Sequence, residues 1–199
     1  MMIHTILDTD LYKFTTSYAY IKLFPYAMGT FSFKDRDETV YTEAFLNKLK
    51  AEVANLANVA LTDKELEYMT RNCRFLPRVY WEWLSSFRFQ PEKIDIYLDE
   101  EHHLNIEITD YLYKSTLYEV PLLAIVSEIK NQTQGNVANP EEIICKLSEK
   151  VVLSNEHQLS FSEFGTRRRF SFDVQDRVIS YLKKSAHYCT GTSNCYFAM

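Results

Sequence analysis

The spacing of apolar residues changes period along this chain, and the changes divide it into elements. In DTDLYKFTTSYAYIKLFP, Leu11, Phe14, Tyr18 and Ile21 recur at helical spacing behind an Asp-Thr start of good N-cap types, and Pro25 ends the run. GTFSFKDRDE reads as a strand running out into polar Lys34, Asp35 and Arg36. Tyr41, Phe45, Leu49, Val53 and Leu56 share one face of a second helix. Thr62 and Glu65 form a capping box for a third. Pro77 is expected at the first position of a fourth, with Tyr80, Trp83, Leu84 and Phe87 on its apolar side.

At Ile94 the period becomes two. Ile94, Ile96 and Leu98 alternate with polar residues, as do Leu104, Ile106 and Ile108, and the DEEHH stretch between them reads as a hairpin turn. A helix follows in PLLAIVSEIKNQTQ, with Gly135 just past its end, and another starts at Asn139 and Pro140. The last third alternates: a short strand in QLSFSEF, a helix capped by Ser171 and carrying Val174, Val178, Ile179 and Leu182, then a strand in HYCTGTSN. The expectation is an α+β region over residues 1–119 and, over 120–199, helices and the first βα units of an incomplete α/β barrel. The chain stops at CYFAM, straight after an apparent turn into a new helix, so a cut domain is expected there.

Composition narrows the function. Hydrophobic residues make up 46% of the 199, enough for a packed core, and only four are glycine, so there is no Gly-rich phosphate loop. A net charge of −5 opposes general nucleic-acid binding, so a local basic cluster must serve a small anion or a need of the fold. The four cysteines show no CxxC, there is no secretory start and no membrane-length apolar run, and a reduced, cytoplasmic setting is expected.

The basic cluster is SEFGTRRRFS. In a βα unit, function sits at the carboxyl ends of strands, and both Phe164-Gly165-Thr166-Arg167 and Gly191-Thr192-Ser193-Asn194 fall at such ends. Arginine forks match phosphate oxygens, and an aromatic ring suits a flat heterocycle. The residues alone leave a second reading open: a basic rim on a connection, with Phe164 and Phe170 in the core. Tyr12, Lys13 and Arg36 are similarly ambiguous, while His102 and His103 read as solvated turn residues.

LDTDLYKFT, FSFKDR, YEVPLLAIVSEI, SEFGTRRRFS, VQDRVI and GTSN occur in the order seen in nicotinate phosphoribosyltransferases, and the resemblance runs from Leu7 to the end. It implies a type II phosphoribosyltransferase fold and a homodimer with shared active sites. The implied reaction joins nicotinate to 5-phosphoribosyl 1-diphosphate, with ATP hydrolysis and Mg²⁺ as helper, giving nicotinate mononucleotide and diphosphate for NAD salvage. By this resemblance Tyr12 stacks on the pyridine ring from the partner subunit and Phe164 covers its other face. Arg167 lies near the pyridine and ribose phosphate, Arg168 and Arg169 are substrate ligands or pocket-wall supports, and Arg36 binds diphosphate. Ser193 stands where nicotinamide-using cousins carry Asp; an uncharged hydroxyl can donate to a carboxylate that an Asp would repel. The family's phosphorylated histidine has no counterpart among these 199 residues, so the chain alone is expected to be inactive. The alternatives are a nicotinamide-using relative and a non-catalytic anion-binding module.

Overall fold

The computed structural model describes all residues except 36–38 and 137. Helix α1 (Leu11–Leu23) leads into strand β1 (Met28–Ser32), then α2 (Glu43–Ala54), α3 (Asp63–Asn72) and α4 (Arg78–Ser86). Strands β2 (Ile94–Leu98) and β3 (Leu104–Tyr111) form a hairpin, followed by the single turn α5 (Leu112–Ser115) and the helix α6 (Glu119–Thr133). The remainder is α7 (Pro140–Glu156), β4 (Phe161–Glu163), α8 (Phe172–Ser185) and β5 (Cys189–Thr192).

The antiparallel sheet has the order β1-β3-β2, with Ile94 opposite Ile108 and Ile96 opposite Ile106. Strict alternation buries Leu104, Ile106 and Ile108 on one face of β3, as the period of two predicts. Helix α2 turns Phe45, Leu49 and Val53 inward, and α6 supplies Leu122, Ile125 and Ile129 to the same core. The Thr62 capping box, the Asn139 cap with Pro140 behind it, the Ser171 cap and Gly135 at φ 68° all stand where the sequence puts them.

Three local expectations are corrected. Pro77 is the cap rather than the first helical residue, with extended backbone and the helix starting at Arg78. The apolar side of α4 is wider than expected: Trp81 is fully buried between Phe14 and Tyr80, beside a half-buried Trp83 that packs on the core against Tyr80, Phe87 and Tyr113 as its spacing predicts. At the start of α1, Asp10 occupies the cap position but makes no side-chain cap bond, because its carboxylate is used elsewhere.

Strands β4 and β5 pair in parallel around α8, so the two strand ends singled out in the sequence are adjacent. This unit joins the rest at the seam between the two DTD and GTSN stretches. Leu11 N donates to Ser193 O at 2.8 Å, Cys195 N to Thr9 O at 2.9 Å and Tyr196 N to Leu7 O at 2.9 Å. Gly191, inside β5 just before this seam, has φ 134°, a backbone state open to glycine and strained for other residues. Among the described residues no helix is long and apolar enough to cross a membrane.

Candidate functional site

A cleft of about 880 Å³ lies between the end of β1, the exposed side of α6 and the turn that follows β4. Its apolar wall includes Phe31, Phe33, Leu123 and Val126, and its polar side carries Lys34, Glu119, Arg167 and Arg168. Asp35, Ser127 and Lys130 add to the polar side, so the cleft pairs an apolar wall with a strongly charged one, a lining that suits a small polar ligand carrying both a flat apolar part and negative charge.

The turn after β4 is built around Glu163. Its carboxylate accepts from Gly165 N, from Gln175 Nε2 at 2.6 Å and from Thr192 Oγ1 at 2.6 Å, so one side chain binds the end of β4 to α8 and to β5. The backbone then makes a short 3₁₀ turn over Thr166–Arg168, which sends three consecutive arginines in three directions.

Arg169 points inward and is 2% exposed. Its Nη1 donates to both Asp8 oxygens at 2.8 and 2.9 Å, its Nε to Glu128 Oε1 at 2.6 Å and its Nη2 to Met2 O at 2.8 Å. Asn194 Nδ2 completes the cluster by donating to Asp8 Oδ1 and to Thr166 Oγ1. Burial pushes the Glu128 carboxyl above its ordinary range even though the Arg169 guanidinium pulls the other way. Arg169 is therefore a strut of the fold and not a ligand of the cleft, the supporting one of the two roles that the resemblance leaves open for it.

Arg167 lies at the cleft floor between two carboxylates: Nε is 3.5 Å from Asp10 Oδ2 and Nη1 is 3.3 Å from Glu119 Oε1. Arg168 is exposed, lines the cleft and has no carboxylate partner among the described residues. Phe164 also lines the cleft and is 69% exposed, so it is not a core residue. Tyr12 reaches the same place indirectly, its hydroxyl 3.4 Å from Glu119 Oε1 and its ring 4.7 Å below Lys13 Nζ. Ser193 sits behind Arg167, where its hydroxyl donates to Asp10 Oδ1 at 2.6 Å. Arg36 lies outside the described residues.

These residues fall within two stretches that match known families. Residues 7–127 match the nicotinate phosphoribosyltransferase (NAPRTase) N-terminal domain, and residues 159–199 match the nicotinate phosphoribosyltransferase (NAPRTase) family. The chain belongs to the nicotinate phosphoribosyltransferase family. It is 37% identical, over 99% of its length, to 52% of the nicotinate phosphoribosyltransferase of Methanosarcina acetivorans. It is 34% identical, over its whole length, to 51% of that of Chromohalobacter salexigens. The crystal structure of the Porphyromonas gingivalis nicotinate phosphoribosyltransferase superposes with a TM-score of 0.95 at 43% identity, over 98% of this chain and 51% of that one. A putative nicotinate phosphoribosyltransferase from Saccharomyces cerevisiae superposes with a TM-score of 0.90 at 28% identity, over 99% of this chain and 52% of that one. The chain thus spans about half the length of the curated relatives it matches, and the expected fold class stands.

The sequence led to Phe164, Arg167, Arg168, Tyr12 and Ser193, but not to the carboxylates that contact Arg167, Tyr12, Ser193 and Arg169. Asp8 and Asp10 look like helix caps in DTD, and Glu119 looks like a first-turn acid. The available signal for Glu128 is a lone charge inside the apolar run AIVSEI.

Proposed function

We propose that this chain supplies the pyridine-facing part of a nicotinate phosphoribosyltransferase active site, acting in NAD biosynthesis. In that reaction the ring nitrogen of nicotinate attacks C1 of the ribose in 5-phosphoribosyl 1-diphosphate. The C1–oxygen bond breaks, diphosphate leaves with the electron pair, and nicotinate mononucleotide forms, with ATP hydrolysis coupled to the step. The observation that carries this reading is the exposed Phe164 ring standing beside Arg167 and Arg168 at paired strand ends in a cleft.

The protein's task is to hold two anions in line and to steady charge as the diphosphate departs. Phe164 offers a face to the pyridine, and Tyr12 is assigned the opposite face, given by a second subunit of a homodimer. Arg167 meets the nicotinate carboxylate, and Arg168 and Arg36 meet phosphate oxygens as planar forks. Mg²⁺ would be carried by the diphosphate substrate, whose departing charge it would screen.

The test is steady-state formation of nicotinate mononucleotide by the full-length protein, with nicotinate and nicotinamide compared. Arg167→Lys is expected to lose more than a charge-neutral change implies, roughly tenfold or more in kcat/KM for nicotinate, because the fork is lost. A full-length protein that prefers nicotinamide would replace this reading with the nicotinamide-using relative. One that binds diphosphate without turnover would favour the anion-binding module.

A further inference from the structure

Glu119 is the first residue of α6, where the helix dipole favours a negative charge, and it lines the cleft. Three side chains converge on its carboxylate. Lys13 donates from α1, Tyr12 approaches from the same turn of α1, and Arg167 comes from the turn after β4. Lys13 is only 5% exposed, so its ammonium depends on this one carboxylate. Asp10 holds the other side of Arg167 and is itself held by the Ser193 hydroxyl. Asp10, Glu119, Lys13 and Arg167 make a group of two negative and two positive charges, so the group has no net charge to attract a substrate. Its contribution is geometric: the guanidinium is fixed from two sides before anything binds.

We propose that Glu119 is a positioning residue for the transferase reaction, fixing the plane and reach of Arg167 through a carboxylate shared with Lys13. The inference rests on the phosphoribosyl-transfer reading for its kinetic consequence, but not for its geometry. If Glu119 acted only through charge, removing that charge would leave the cleft more positive and would lower the KM for nicotinate. Positioning has the opposite sign. Glu119→Gln keeps the shape, weakens one of the two holds on Arg167 and leaves it on Asp10 alone, and so raises the KM by roughly ten- to a hundredfold, because a small misplacement of a substrate-holding group is costly.

Two measurements decide it. The first needs no activity. In this chain, guanidinium ¹H–¹⁵N spectra are expected to show hindered rotation for Arg167 and Arg169. Glu119→Gln should loosen Arg167 while Arg169 stays hindered as the internal reference; an unchanged Arg167 signal overturns the proposal even if the full-length protein makes no nicotinate mononucleotide. The second is steady-state kinetics on the full-length protein with Glu119→Gln and with Glu119→Gln combined with Lys13→Met, which removes the unpaired buried ammonium that would otherwise destabilise the single variant. The double variant is expected to melt near the wild type and to keep the raised KM. A wild-type KM in the folded double variant, or a lowered KM in the single one, would mean that Glu119 only neutralises charge and would overturn the proposal. A wild type without transferase activity would instead count against the reading of the reaction, leaving the spectra to judge the geometry.

Discussion

The part of the molecule up to the end of α6 and the part beyond it are held together by different physics. Before Thr133 the structure is organised around buried apolar residues such as Leu49, Trp81, Ile106 and Ile125. Beyond it, the buried hydrophobic residues among those described are Val151, Leu182 and Cys195, and buried polar groups take over: Ser154, Thr166, Arg169, Gln175 and Asn194. Apolar burial is strong but non-directional, whereas a satisfied buried polar network fixes orientation. The segment that carries the candidate site is therefore set by charge pairs and hydrogen bonds, and its side chains are aimed rather than merely packed.

The difference is sharpest at Arg169. Arg169→Met leaves Asp8 and Glu128 buried without their counter-charge, and the expected loss is about 3–5 kcal/mol. Ile106→Ala, at a fully buried position of the central strand, should cost about 2–5 kcal/mol through lost burial and a residual cavity. The two are separated by pH. Without Arg169 the Glu128 carboxyl, already raised by burial, rises further, so the folded state binds more protons than the unfolded one and stability recovers as pH falls through the folded-state pKa. Urea unfolding at pH 8 and pH 5 should show the Arg169→Met deficit shrinking and the Ile106→Ala deficit unchanged. Equal pH dependence for the two variants would mean that the regions do not differ in this way.

What the sequence reveals follows the same division. Periodicity and caps located the strands, the helices and their ends in the apolar region, because each is a local decision. The cleft residues Phe164, Arg167 and Arg168 were legible because their motif is contiguous. The division of labour among the arginines was not, since it depends on Asp8, Asp10, Glu119 and Glu128, which lie 41 or more residues away from the arginines they contact. Trp81 was not legible as a core residue because a short helix with aromatic residues on adjacent positions offers more than one apolar face, and the packing against Phe14 that buries it is tertiary.

Ser193 probes the seam between the regions. Its hydroxyl has one proton, and that proton is donated in the hydrogen bond to Asp10, so any selectivity it confers passes at least partly through the Asp10–Arg167 pair. Ser193→Asp would set a second carboxylate against one that is 1% exposed and would draw Arg167 away from the cleft. A contact of this kind is worth on the order of 1.5–3 kcal/mol, so kcat/KM for nicotinate relative to nicotinamide should fall by roughly tenfold to a hundredfold. Ser193→Ala, which removes the donor without adding charge, should cost less on both counts. A normally folded Ser193→Asp protein with its full preference for nicotinate would remove this residue from the selectivity argument.

The smallest expected effect belongs to the apolar region and appears only at high pH. Tyr118 is almost completely buried against Phe87 and Phe89, and its hydroxyl accepts from Gln90 N at 2.9 Å. Burial holds its phenol at about 12, aided by the Asp110 and Glu92 charges and opposed by the Gln90 amide. The folded state thus keeps a proton that the unfolded chain gives up near the ordinary tyrosine value. Stability from this group is intact below about pH 10 and is lost as pH rises from there through the folded pKa. The loss is on the order of 1–2 kcal/mol across that window. Tyr118→Phe removes the titration at the cost of leaving the Gln90 amide without its acceptor, so it should be slightly less stable than the wild type at pH 7 and should lose less between pH 10 and 12. Urea midpoints across that range, with tyrosinate absorbance followed in parallel, give the comparison. If the two proteins lose stability in parallel above pH 10, the alkaline sensitivity resides in other groups and Tyr118 is not its source.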